Sequence, residues 1–376
     1  MVPVIFDSHY LDYDFGPEHP FSPLRLAMLQ EMLVDLGIWQ KPVPARIASR
    51  EEILTIHAER YVSRVEAVSR GEIVSDAQQY GLGTGDIPIF PNMDRASRWL
   101  VGGTLTAAET ILSGTPKVLQ FGGGLHHADY DRASGFCIYN DLACAIRYFR
   151  SQGLRVAYLD IDVHHGDGVQ ALFYQDPEVM TISLHESGRY LFPGTGGIYE
   201  LGRGRGLGKK LNIPLDPFTE NESYLEAFEI LVPSALAWFR PDVTVIQCGG
   251  DAHFMDPLAD LLLTTRGYAV LFSRIVELVD SFSYGRGLFT FGGGYSLDST
   301  PRIWALLYCL LQGLEPPELL PASWLERWQN RLGHSLTQSL HDPPGGYRDI
   351  PRKPEITRRN RETAARLLEA AREYWD

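Results

Sequence analysis

The sequence predicts an α/β fold in which helices cover both faces of a mostly parallel sheet. Three observations carry that prediction. Short β-rich runs alternate with longer helical patterns from end to end, the order that a parallel sheet with crossover helices requires. Each run is nearly continuous in apolar residues, as strands buried on both sides are. Four of the runs give way to polar or glycine-rich sequence, and in an open parallel sheet the carboxyl ends of the strands face one way and hold the ligand.

The first strand is PVIFD near residue 3, followed by helical patterns over Leu24 to Leu36 and Ala96 to Ser113. KVLQF, ending at Phe121, RVAYLDID, ending at Asp162, and VMTISL, ending at Leu184, are the next strands, each too short and too rich in β-branched or aromatic residues for a helix. GRGRGLGKK at 202 to 210 is Gly-rich, but no helix start follows it, so it reads as an irregular turn into the strand LNIPL rather than a phosphate loop. A helix over Tyr224 to Phe239, the strand VTVIQC ending at Cys248, a helix over Arg266 to Ser281, the strand GLFTF ending at Phe291 and a helix over Thr300 to Leu311 continue the alternation. The last helix, from about Ile356 to Trp375, has mixed charges with Leu367 and Leu368 on one face, the pattern of an outer cap. No repeat, low-complexity tract or dividing linker interrupts the chain.

At 376 residues, 44% hydrophobic and 22% charged, the chain has the composition of an ordinary globular protein. No run approaches the roughly 20 apolar residues of a membrane span, and the N-terminus lacks the basic-then-apolar order of a secretory signal. A cytoplasmic enzyme is the default expectation. The net charge of −13 argues against nucleic acid as a partner. Cys137, Cys144, Cys248 and Cys309 form no C-x-x-C pair and read as buried free thiols.

The four strand ends carry FGGGLHHAD, LDIDVHHGDG, CGGDAH and FGGGYSLD, and together they predict one site. Asp162 and His164 are spaced i, i+2, so on an extended strand both would point to one side. With Asp251 they make three N and O ligands for a divalent metal that leave a position open for water, the pattern of a catalytic zinc. The alternative is a set of satisfied buried polar groups at a loop junction. His126 and His127 are candidates to move a proton beside an activated water, with Asp160 and Asp167 to orient them; otherwise they are a chance loop pair. Tyr295 could donate to an oxyanion, or simply pack.

These segments, with HPFSPLR at 19 to 25, SLHESGRYLFPGTG at 183 to 196 and DPLADLLLT within 248 to 264, resemble the histone deacetylase family, including its bacterial acetoin-utilisation members. The resemblance implies the arginase/deacetylase fold, a single α/β domain around a mostly parallel eight-stranded sheet. It would fill residues 1–376, with a catalytic core of about 15–315 and a helical cap of about 316–376. It implies hydrolysis of the acetyl-lysine amide, with Asp162, His164 and Asp251 as zinc ligands, although iron is the open alternative. His127 would be the general base and acid, with His126 its electrostatic partner, Asp160 and Asp167 their carboxylates, and Tyr295 the carbonyl-polarising residue.

Gly135, Phe136, Phe192 and Leu258 would line a tunnel for the lysine stem, and Asp86 would bind substrate backbone at the rim. Potassium would take Asp160, Asp162, His164, Ser183 and Leu184, and Arg25 and Gly123 would mark an acetate exit. Leu125 and the run GGDAHF depart from the common family pattern beside the pocket. The implied partners are acetylated lysines of proteins, among them metabolic enzymes such as acetyl-CoA synthetase. Acetylpolyamines are the rival substrate; a two-manganese ureohydrolase and a silent acyl-lysine binding module fit the intact residue set less well.

Overall fold

Eight strands form one sheet in the computed structural model, which describes residues 1–347 and 349–375. Arg348 and Asp376, both inside the predicted C-terminal cap, lie outside the described residues. The chain runs β1 (Val4–Phe6), α1 (Leu24–Asp35), β2 (Val43–Pro44), α2 (Arg50–Leu54), α3 (Glu59–Ser69), α4 (Met93–Leu112), β3 (Lys117–Gln120), α5 (Asp141–Ser151), β4 (Val156–Asp160) and α6 (Asp167–Leu172). It continues through β5 (Val179–Glu186), β6 (Lys210–Leu215), α7 (Asn221–Phe239), β7 (Val243–Gln247), α8 (Thr265–Phe282), β8 (Gly287–Thr290), α9 (Ser299–Gln312), α10 (Ala322–Leu332) and α11 (Lys353–Arg372).

The strand order is β2-β1-β3-β8-β7-β4-β5-β6, and each paired neighbour is parallel. This is the arginase/deacetylase architecture that the resemblance implies. Every residue of β4, β5, β7 and β8 is buried, which explains their nearly continuous apolar runs: with helices on both faces there is no solvent side to select alternating polar residues. The short edge strand β2 is absent from the sequence reading because its two residues are exposed and carry no apolar pattern.

The order has a direct consequence for function. β3, β8, β7 and β4 are consecutive in the sheet, and they are the strands whose ends carry the four polar segments. Residues far apart in sequence therefore emerge side by side at one edge of the molecule. Among the described residues, no helix is long and apolar enough to cross a membrane.

At the C-terminal end, α10 buries Trp324 and Trp328 against α1, and the Trp324 indole donates to the Met28 carbonyl at 2.8 Å. α11 starts three residues before the predicted helix and docks beside β6 and α7. Its buried Asn360 donates to Thr219 Oγ1 (2.7 Å) and Ser223 Oγ (3.0 Å) and accepts from the Asp216 amide (3.0 Å). Trp375 stacks on Trp238 with centroids 5.0 Å apart.

Candidate metal centre and active site

Asp162 and His164 come together, but not by the route that their spacing predicts. β4 ends at Asp160, so neither residue is on an extended strand. The chain bends instead, because the Asp162 carboxylate accepts the amide of His164 (3.0 Å), a local bond that competes with continued pairing. His164 Nδ1 then lies 3.1 Å from Asp162 Oδ1 and 3.3 Å from Asp251 Oδ2. Asp251 arrives from the end of β7, and its other oxygen accepts the Val163 amide at 2.9 Å. Asp162 Oδ2 is fixed by the Gly293 amide (2.9 Å) and the Gln247 side chain. Gly293 has to be glycine: a Cβ there would collide with both carboxylates.

The three residues are buried, and one donor atom from each lies within 4.8 Å of the others. Two buried carboxylates packed around one imidazole are electrostatically costly. Burial, then repulsion from Asp162, pushes the Asp251 carboxyl well above the usual range. Burial alone would lower His164, yet its hydrogen bonds to both carboxylates outweigh it and raise that imidazole to about 10. One donor atom from each of these three residues could hold a cation. An N,O,O donor set of this kind suits a single divalent ion.

The histidine pair sits beside this cluster with opposite electrostatics. His126 Nδ1 lies 2.8 Å from Asp160 Oδ2, which also accepts from the Tyr158 hydroxyl at 2.6 Å. Burial opposes its charge, but attraction to Asp160 and Asp162 wins and lifts it to about 9. His127 Nδ1 lies 2.7 Å from Asp167 Oδ1. Burial, followed by the charge on His126, lowers His127 to about 4 against the pull of Asp167. Since a carboxylate only accepts, Nδ1 of His127 carries the proton and Nε2 keeps its lone pair. Neighbouring imidazoles whose rings are 4.0 Å apart thus prefer different charge states at neutral pH.

Tyr295 reaches the cluster from the end of β8, its ring 6.3 Å from that of His164. Its own amide donates to Asp256 Oδ2 at 2.7 Å, and burial, with Asp162 and Asp251, holds its phenol well above the ordinary value. It is therefore a neutral donor. Phe136 packs edge-on to Tyr295 (5.6 Å) and Phe192 edge-on to His127 (5.1 Å), so the two rings flank the approach. Gly135, at φ +51, lies so close to the His127 ring that any Cβ would strike it. Asp86 accepts the Gly135 amide at 2.8 Å, and Leu258 follows the Asp256 turn, its amide on Asp256 Oδ1 (3.0 Å).

Of the residues assigned to potassium, Ser183 pairs with Asp160 across β5 and β4, and Leu184 is the next residue along. Arg25 is buried and donates to the carbonyls of Gly292 (3.0 Å) and Gly294 (2.8 Å). With Gly123 it borders a cavity of about 20 Å³, room for about one water.

The structure adds residues that sequence reasoning missed. Tyr158 and Gln247 each hold one site residue by a hydrogen bond, and Asp256 holds two, Tyr295 and Leu258; Gln247 pairs with Asp160 in register, a signal available once β7 and β4 are neighbours. Asp141 accepts the amides of Gly124 and Leu125 and so shapes the turn before the histidines. Buried His253, two residues past Asp251, bonds Asp342 at 2.9 Å; no local pattern could reveal a partner so distant.

The histone deacetylase domain profile matches residues 19–311. The acetoin utilization protein AcuC of Bacillus subtilis (strain 168) is 42% identical, the alignment covering 98% of this chain and 97% of that protein. An HDAC homologue solved in complex with SAHA superposes with a TM-score of 0.86 at 30% identity, over 97% of this chain and 99% of that one. An HDAC homologue from Aquifex aeolicus gives a TM-score of 0.83 at 29% identity, over 96% and 99%.

Proposed function

The chain belongs to the histone deacetylase family and is a deacetylase, and from that premise we propose that it removes acetyl groups from the Nε atoms of lysines in proteins with one zinc ion. The observation that carries this reading is the three-ligand cluster with two buried imidazoles beside it, each held at Nδ1 by its own carboxylate, and Tyr295 facing it. Asp162, His164 and Asp251 would hold the ion. When bound, it would supply Lewis-acid polarisation and a lowered pKa for water.

The chain's own residues account for the proton traffic. His127 takes the proton of the attacking water at Nε2, while Asp167 fixes its tautomer and stabilises the imidazolium that forms. It returns that proton to the departing lysine amine, which could not leave as an anion. His126 stays charged beside Asp160 and lowers the energy of the negative charge growing on the substrate. The Tyr295 hydroxyl donates to the carbonyl oxygen as it becomes an oxyanion. Phe136 and Phe192 offer aromatic faces to four methylenes and exclude water from the reacting amide. The potassium site at Asp160, Asp162, His164, Ser183 and Leu184, and an acetate path past Arg25 and Gly123, belong to the same proposal.

The test is metal content and turnover on one preparation, comparing an acetyl-lysine peptide with acetylated putrescine. About one zinc per chain and preference for the peptide are expected. Preference for the polyamine would replace the protein substrate with a small cation.

A further inference from the structure

One large cavity does not touch the candidate metal ligands. It has a volume of about 690 Å³ and is walled by Tyr190, Phe218, Leu262, Tyr347, Ile350 and Ile356, from four separate loops and α11. That volume lies within the range of a built ligand pocket. Building on the acetyl-lysine reading above, we propose that this cavity receives an apolar side chain, aromatic or long aliphatic, near the acetyl-lysine in the substrate protein.

Two of its walls are continuous with the approach to the metal ligands. Tyr190 is two residues from Phe192, whose ring flanks His127, so their Cα atoms are no more than about 7.6 Å apart. The Phe218 amide donates to the Asp260 carbonyl (2.8 Å), two residues past Leu258. A peptide laid across the opening advances about 3.3 Å per residue. With its acetyl-lysine in the approach, a residue two to four positions away lies over the cavity.

The lining says what is recognised. Four of the five charged groups in the lining are engaged with one another, Arg359 with Asp216 at 3.0 Å and Arg352 with Glu355 at 2.6 Å, and most of the surface between them is apolar. Tyr190 and Phe218 are 62% and 49% exposed, although large apolar side chains gain by burial. Phe218 also holds a left-handed backbone, φ +65, as the flanking Phe136 does at +64. Such a conformation in a bulky residue persists only where the surroundings fix it, and it concentrates at binding sites. An acetylpolyamine has nothing to place here, so the cavity separates a protein substrate from a small cation.

The experiment is a set of acetyl-lysine peptides with glycine flanks, into which a single Phe or Leu is moved from four residues before the lysine to four after. The metal-loaded full chain and the variants Phe218→Ala and Ile356→Glu are assayed in parallel. At one or two positions kcat/KM should rise at least tenfold over the glycine-flanked peptide, and both variants should abolish that rise while turning over the glycine-flanked peptide normally. Equal rates for all peptides, or a preference that survives both variants, would overturn the proposal and leave the acetyl-lysine reading standing. No turnover of the glycine-flanked peptide itself would overturn that reading, and this proposal with it.

Discussion

Two buried polar clusters lie within a few residues of each other on the loop after β7, and they are built in opposite ways. Asp251 belongs to the metal cluster, where every member follows a strand end within a few residues. His253 belongs to a second cluster, where Asp342 Oδ2 accepts from His253 Nε2 (2.9 Å) and from the Thr265 amide (2.7 Å) and hydroxyl (2.8 Å), while Oδ1 accepts from Arg302 (2.8 Å). In the first, two carboxylates crowd one imidazole. In the second, every charge has its partner: beside His253 and Arg302, Asp342 is held well below the usual carboxylate range despite its burial. The contrast teaches that the first cluster stores electrostatic cost for chemistry, whereas the second fastens the C-terminal segment to the loop that carries Asp251 and, through Asp256, Tyr295.

If that division is right, substitutions in the two clusters should separate activity from stability. The largest effect is expected for His127→Ala, which removes the proton carrier. Turnover should fall by roughly 10²- to 10⁴-fold, with a melting temperature close to the parent. A fully active variant would take His127 out of the mechanism. Asp342→Ala should do the reverse in order of magnitude. It leaves the buried Arg302 without one of its two carboxylates and strands the Thr265 amide, a loss of about 3–5 kcal/mol as measured by denaturant unfolding. A change under about 1 kcal/mol would mean that the second cluster is ornamental.

The same division explains what the sequence made legible. Polar residues directly after buried strands are positioned by the sheet itself, so His126, His127, Asp162, His164, Asp251 and Tyr295 could be gathered on paper from strand ends alone. The geometric reason given for Asp162 and His164 was nevertheless wrong, because a side-chain-to-backbone bond bends the chain before the alternation of a strand could act. Asp342 was invisible. Its partner His253 is 89 residues away, and nothing in the local pattern of either residue reports that separation. The GGDAHF departure was visible as a difference, but its physical meaning, a buried histidine answering a carboxylate from the C-terminal segment, required the fold. The cavity lined by α11 was hidden for the same reason, since its walls come from distant loops.

Tyr295→Phe is the next expected effect, because it deletes one hydroxyl and keeps the ring against Phe136. Turnover should drop by about a hundredfold, near 3 kcal/mol for one oxyanion donor, with bound metal unchanged. Turnover within twofold of the parent would leave Tyr295 a packing residue and assign the oxyanion to other donors.

The smallest effect tests where the histidine loop itself belongs. His57 is buried, with Nδ1 2.8 Å from the Asp129 carbonyl and Nε2 accepting the Asn140 amide at 3.0 Å. One nitrogen must therefore donate and the other accept, which only the neutral ring can do. Burial accordingly lowers His57 from 6.5 to about 4. Its folded value is below its unfolded one, so between pH 6.5 and 4 the unfolded chain binds the extra proton and stability falls as the pH falls. From pH 6.5 to 5.5 this group alone should cost about 1 kcal/mol, and His57→Gln should flatten that slope. Asn140 caps α5 through the Ala143 amide and donates to the carbonyls of His126 and Ala128. Protonating His57 therefore removes an acceptor from the residue that holds the catalytic loop. If turnover and stability decline together over this interval, and both declines shrink in His57→Gln, the loop is held by the framework. A decline in turnover alone, unchanged by the substitution, would place the loop's acid sensitivity in the metal cluster.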